Sequence, residues 1–176
     1  MVTTIPVFYQ LENNLMFFSK KTIEKNELPA TLTGLVEQLL TEKGFNYTFL
    51  KDNLIKIGIK GERLSWQVYI RTDEDRKLIT IISVLPLCVE DAQKLNMVDL
   101  LNRVNYQILF GKWCLDNEDG EISHITTHLA DPGHLATQEL DILFDTNFRS
   151  VDSIFPAIAN VNFGNAAPVI AFNSIS

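Results

Sequence analysis

Clustered positive charge is scarce in this sequence. Lys and Arg number 15 against 22 Asp and Glu, a formal charge of −7. Phosphate recognition relies on grouped cations that release counterions, and the pair Lys20–Lys21 is too short to form a polybasic patch. Nucleic acid is therefore not an expected partner, whereas an acidic surface favours basic or neutral ones. Cysteine is equally sparse, with Cys88 and Cys114 the two present. The start, Met1 to Pro6, lacks a basic segment followed by an apolar stretch. Two reduced, buried thiols in a cytoplasmic protein are the expectation. No run approaches the roughly 18 apolar residues of a membrane helix, so no membrane partner is expected either.

Catalytic signatures are missing as well. Gly111–Lys112 is followed by Trp113 where a phosphate loop needs Ser or Thr, and Tyr106 stands where its first glycine belongs. No Gly-x-Ser-x-Gly elbow occurs. His124 and His128 have the spacing of a helical metal pair, but the flanking alternation reads as strand. Four strand residues separate them by roughly 13 Å, too far for one ion. His134 falls in the cap region of another element, so all three histidines are expected to be surface or half-buried. The acidic stretch Asp116 to Glu121 fails as a calcium loop. With Gly120 at the sixth position, Leu115 and Thr126 occupy the first and twelfth, where Asp and Glu are required. Cys88 has no polar neighbour to lower its pKa, Cys114 lies mid-strand, and no carboxylate pair is placed for acid–base work. The chain reads as a non-enzyme with no catalytic residues, no metal ligands and no cofactor.

What is present suffices for one core: 176 residues, 46% apolar and 21% charged. Ile5 to Tyr9 reads as a short edge strand because of Pro6, and Leu15 to Phe18 as an apolar cluster before the charged stretch Lys20 to Glu27. Residues 1–30 thus form an N-terminal arm. Pro29 suits a first helical turn, and Leu32, Leu35, Val36, Leu39 and Leu40 repeat at helical spacing, closed by Lys43 and Gly44. Alternating runs follow at Phe45 to Leu50, Leu54 to Lys60 and Ser65 to Thr72. A fourth run, Leu78 to Leu85, is apolar on both faces. Short turns between them predict an antiparallel meander, the last strand central or covered twice, with Pro86 ending it.

Met97, Leu100, Leu101, Val104 and Ile108 make one stripe of a second helix over Leu95 to Ile108. Leu109 to Leu115 and Ile122 to Leu129 read as a hairpin whose turn holds Asp119–Gly120. Asp131–Pro132 is an N-cap and first-turn proline, and a third helix runs on from Leu135 past Ile158, with Pro156 expected to kink it or mark a break near Ser150 to Ser153. The apolar tail, residues 165–176, is expected to dock. The fold class is α+β: a four-strand antiparallel meander plus a later hairpin, packed with about three helices.

The aromatic residues are the candidate binding surface. Trp66 and Tyr69 point to opposite faces of one strand, one face packing on helices and the other open to a partner or second subunit, and Trp113 lies on the later hairpin. Asn102 and Asn105, three apart on the second helix, could line an interface, although bracing of neighbouring loops is their commoner role.

From about Gly44 to Gly164 the chain resembles the YbjN family of bacterial sensory-transduction regulators. The resemblance rests on Leu101–Asn102-x-x-Asn105, Gly111–Lys112–Trp113-x-Leu115–Asp116, Asp119–Gly120–Glu121–Ile122 and Asp152-x-x-Phe155–Pro156-x-Ile158. It implies a YbjN-like domain over residues 31–164 and a fold similar to type III secretion chaperones, which are small, acidic and usually dimeric. A non-catalytic role follows from it: a homodimeric, chaperone-like or regulatory module that binds another protein. The alternative from a different class is a small-ligand sensor with a pocket between sheet and helices. An enzyme using Cys88 or Cys114 ranks last.

Overall fold

The leucine repeat at 32–40 folds as helix α1 (Leu32–Glu42) in a computed structural model that describes residues 9–10, 31–130 and 137–175. Its start is held twice. The Thr31 side chain accepts from Gly34 N at 3.1 Å, and the Glu74 carboxylate accepts from the backbone N–H groups of Leu32 and Thr33 at 2.9 and 3.0 Å. A carboxylate suits the positive end of a helix, and this one ties α1 to a turn of the sheet. Lys43 is the C-cap, and Gly44 follows at φ 72°, the left-handed conformation that glycine adopts at no cost. Pro29 and the first-turn expectation attached to it lie outside the described residues.

The meander forms as read: β2 (Tyr47–Lys51), β3 (Leu54–Lys60), β4 (Ser65–Asp73) and β5 (Leu78–Cys88) pair antiparallel in sequence order. Pro86 does not end it. The β5 ladder is irregular between Val84 and Cys88, so a residue without an N–H costs little there and the strand runs two residues further. After a 3₁₀ turn (Asp91–Gln93), α2 (Lys94–Gln107) carries the chain across to the hairpin β6 (Lys112–Leu115) and β7 (Glu121–Leu129). β7 pairs with β5 and β6 takes the far edge. With β1 (Tyr9–Gln10) included, the strand order is β1-β3-β4-β5-β7-β6, with β2 sharing the outer edge of β3. The strand expected to be central, β5, is central. Of the predicted N-terminal edge strand, β1 (Tyr9–Gln10) pairs parallel with Ile59–Lys60, whereas Ile5 to Phe8, Leu15 to Phe18 and the charged stretch lie outside the described residues.

Helix α3 (Thr137–Asn162) runs unbroken through Pro156, so the break expected near Ser150 to Ser153 is absent. Proline removes the donor for the carbonyl four residues back, which here is Asp152, and the Arg63 guanidinium supplies a replacement by donating to Asp152 O at 3.1 Å. The N-cap expectation at Asp131–Pro132 lies outside the described residues. The apolar tail docks as expected: α4 (Pro168–Asn173) packs against α2 and α3 with Ala171 buried.

Helices α1 and α3 cover one face of the sheet, and α2 closes its β6 end. The core between them holds Ile55, Ile57, Ile59, Val68, Ile70 and Ile81, met by the α1 leucines and by Phe144, Phe148 and Val151 of α3. Among the described residues no helix is long and apolar enough to cross a membrane.

Candidate partner-binding surface

Alternation along β4 sends Trp66 and Tyr69 to opposite sides, and the sides differ. Trp66 is 2% exposed, edge-on to Phe148 with ring centres 6.3 Å apart. Its Nε1 donates to Ser83 Oγ at 2.9 Å, and Ser83 in turn donates to Asn147 Oδ1. Asn147 Nδ2 donates onward to Thr126 Oγ1 at 3.1 Å. Burying such groups is costly unless each is paired, and this chain pairs them across β4, β5, β7 and α3. Ser83 and Asn147 were not singled out in the sequence. A serine in an apolar strand and an asparagine on the stripe of Phe144, Phe148 and Val151 were the available signals.

Trp113 is also interior, 3% exposed, its ring centre 4.9 Å from that of His124. The main chain of Trp113 faces away from β7 and is met by one side chain. Asn105 Oδ1 accepts from Trp113 N at 2.7 Å while Asn105 Nδ2 donates to Trp113 O at 2.9 Å. Asn105 thus braces the edge strand, the commoner of its two roles, and Asn102 is exposed. At Gly111, φ 79°, a Cβ would lie 2.7 Å from His124 Nε2 and 2.8 Å from Thr126 Cγ2, so glycine is required there. His124 corrects the expectation of surface or half-buried histidines. It is 0% exposed because even-numbered β7 residues face the helices, and burial pushes its pKa down to about 4 against a smaller upward pull from the Asn147 backbone. His128 is half-buried, and His134 lies outside the described residues.

Both cysteines are free, but they are not buried. Cys88 is exposed at the irregular end of β5 and Cys114 half-buried on the edge strand. No group of three or more metal-ligating side chains forms among the described residues. The acidic stretch is a hairpin turn closed by Gly120 N donating to Asp116 O at 2.9 Å, with Gly120 at φ 78°. Burial first, then Asp119 and Asp116, raises the pKa of Glu121 above the ordinary carboxylate range.

Two surfaces among the described residues suit a partner. The first is the sheet face opposite the helices, on which no described helix packs; Tyr69 lies half-buried near its middle. The second is the corner between α2 and β6, where Tyr106, Leu109 and Phe110 are 93%, 91% and 70% exposed. Single exposed apolar residues are ordinary, but three within five positions form a patch. Of the five residues singled out, Tyr69 and Asn102 reach the surface, and Trp66, Trp113 and Asn105 hold the framework behind it.

A family model described as "YbjN: Putative bacterial sensory transduction regulator" matches residues 34–160. Among solved structures, the chain is similar to YbjN from E. coli, at a TM-score of 0.56 and 11% identity over 84% of this chain and 93% of that one. It also matches a Yersinia pestis type III secretion chaperone, SycH, solved in complex with a stable fragment of YscM2. That match has a TM-score of 0.41 and 14% identity over 67% of this chain and 94% of that one. No curated protein sequence matches.

Proposed function

The chain belongs to the YbjN family, and we propose that it is a non-catalytic, chaperone-like or regulatory module that binds another protein and acts as a cytoplasmic homodimer. The open sheet face carries this reading. One side of the sheet is spent on the core, while the other keeps half-buried apolar side chains around Tyr69 with no described helix over them. Exposed apolar surface rimmed by polar groups is what protein partners cover. The homodimer is supported by the Tyr106, Leu109 and Phe110 corner, a surface distinct from that face.

Affinity capture of the tagged protein from its host's lysate tests the reading, with Tyr69→Ala as the surface variant. A small set of partners lost with that variant, its thermal melt unchanged, is the expected result. Robust turnover that tracks with a point mutation would overturn it. For the dimer, sedimentation should give twice the chain mass, falling to one chain in Leu109→Glu.

A second reading, the small-ligand sensor, draws on one observation. Trp113 Nε1 and both His124 ring nitrogens are buried side by side with no partner in hydrogen-bonding geometry among the described residues, the Asn147 backbone acting on the imidazole only weakly, as polar atoms lining a ligand pocket would be. A ligand that raises the melting temperature of wild type but not of His124→Gln would favour it.

A further inference from the structure

Strand register places a single row of side chains across the open face. Lys56 on β3 lies opposite Tyr69 on β4, Tyr69 opposite Ile82 on β5, Ile82 opposite Ile125 on β7, and Ile125 opposite Lys112 on β6. From Lys56 to Lys112 the row is apolar in the middle and cationic at both ends, with Thr48 of β2 beyond Lys56. Four strand spacings set those ends roughly 19 Å apart. Arg71, two residues beyond Tyr69 on the same side of β4, adds a third cation. Lys56 Nζ stands 6.0 Å from the centre of the Tyr69 ring.

None of Lys56, Arg71 and Lys112 makes an ion pair with a described residue. In a chain of charge −7 this is unexpected, since carboxylates outnumber cations 22 to 15. The carboxylates this face does carry stand at strand ends. Asp73, at the end of β4, is engaged by Arg76, and Glu121 begins β7 beside the acidic turn. A second copy of the face is a poor occupant, because two-fold stacking about Ile82 would set the cations of one copy over those of the other.

We infer that the open face docks a partner polypeptide whose apolar side chains sit between Asp or Glu residues about 19 Å apart. The apolar centre would bury against Tyr69, Ile82 and Ile125, and the carboxylates would meet Lys56, Arg71 and Lys112. This rests on the protein-binding reading and adds the partner's chemistry to it.

The test is selection of random 16-residue peptides displayed on phage against the intact protein, followed by fluorescence anisotropy with the best binder synthesised. Enriched peptides should carry an excess of Asp and Glu around apolar residues. Arg71→Glu combined with Lys112→Glu, both exposed positions, should weaken the best binder roughly ten-fold while leaving the melt unchanged. Basic or neutral winners, or equal affinity for the double variant, would overturn the inference and leave the binding-module reading standing. Enrichment of no peptide would also overturn it, and lysate capture would then judge the broader reading separately. Should Ile82→Glu convert a dimer to a monomer in sedimentation, the face belongs to a second copy and the inference fails.

Discussion

Asn105 is positioned to satisfy an edge strand. The outward N–H and C=O of Trp113 would need water or a neighbouring strand, and the two bonds from one amide fill both positions. Truncating it to Ala strands both groups against α2, so Asn105→Ala should cost roughly 1–3 kcal/mol in urea unfolding. His124 makes the stability pH-dependent. Its folded pKa, about 4, lies below the ordinary histidine value of about 6.5, so between those values the unfolded chain binds a proton that the folded chain does not. Its contribution is full above about pH 6.5 and falls by about 1.4 kcal/mol per unit toward pH 4, for a total of ~3 kcal/mol. Comparing wild type with His124→Gln at about pH 7.5 and about pH 5 isolates this from the carboxylates. The variant should lose less stability on acidification, and equal losses would show that the imidazole does not carry the effect.

At the scale of elements, α3 is anchored to the sheet by Asp152. Its carboxylate accepts from Glu62 N at 2.8 Å and Arg63 N at 3.2 Å in the β3–β4 turn, while its carbonyl takes the Arg63 guanidinium. The turn approaches so closely that a Cβ on Gly61 would lie 2.7 Å from Trp66 Cζ3. Asp152→Ala should therefore cost about 1.5–3 kcal/mol, since hydrogen bonds to charged groups are the stronger ones. Gly61→Ala should destabilise as well, both read as shifts of the urea midpoint at unchanged slope. These contacts explain why α3 runs on through Pro156. Pro156 in the sequence signals a kink or a break, and the residue that compensates for its missing N–H lies about ninety positions away. The strands themselves were legible because alternation is local: Leu54–Lys60 was read to the residue, and the central place of β5 followed from its two apolar faces. The candidate surface was half legible. Alternation says that Trp66 and Tyr69 face opposite ways, but the covered side is decided by where α1 and α3 land, and sequence alone could not assign it.

For the whole molecule the question is which charge a partner feels. A chain of −7 repels an acidic segment at long range, yet Lys56, Arg71 and Lys112 would meet its carboxylates at contact distance. The Debye length is about 10 Å at 0.1 M salt, so the more distant carboxylates are already largely screened while contacts near 4 Å are not. Local attraction should win. Added salt then weakens that attraction faster than it relieves the residual repulsion. Binding of an acidic–apolar peptide to the open face should accordingly weaken several-fold from about 0.05 to about 0.5 M NaCl, measured by anisotropy. The Arg71→Glu, Lys112→Glu variant should show a flat or reversed dependence. A purely apolar contact at Ile82 and Ile125 would be insensitive to NaCl or strengthened by it. The sign of the salt effect therefore shows whether the cations of this face select the partner or only border an apolar site.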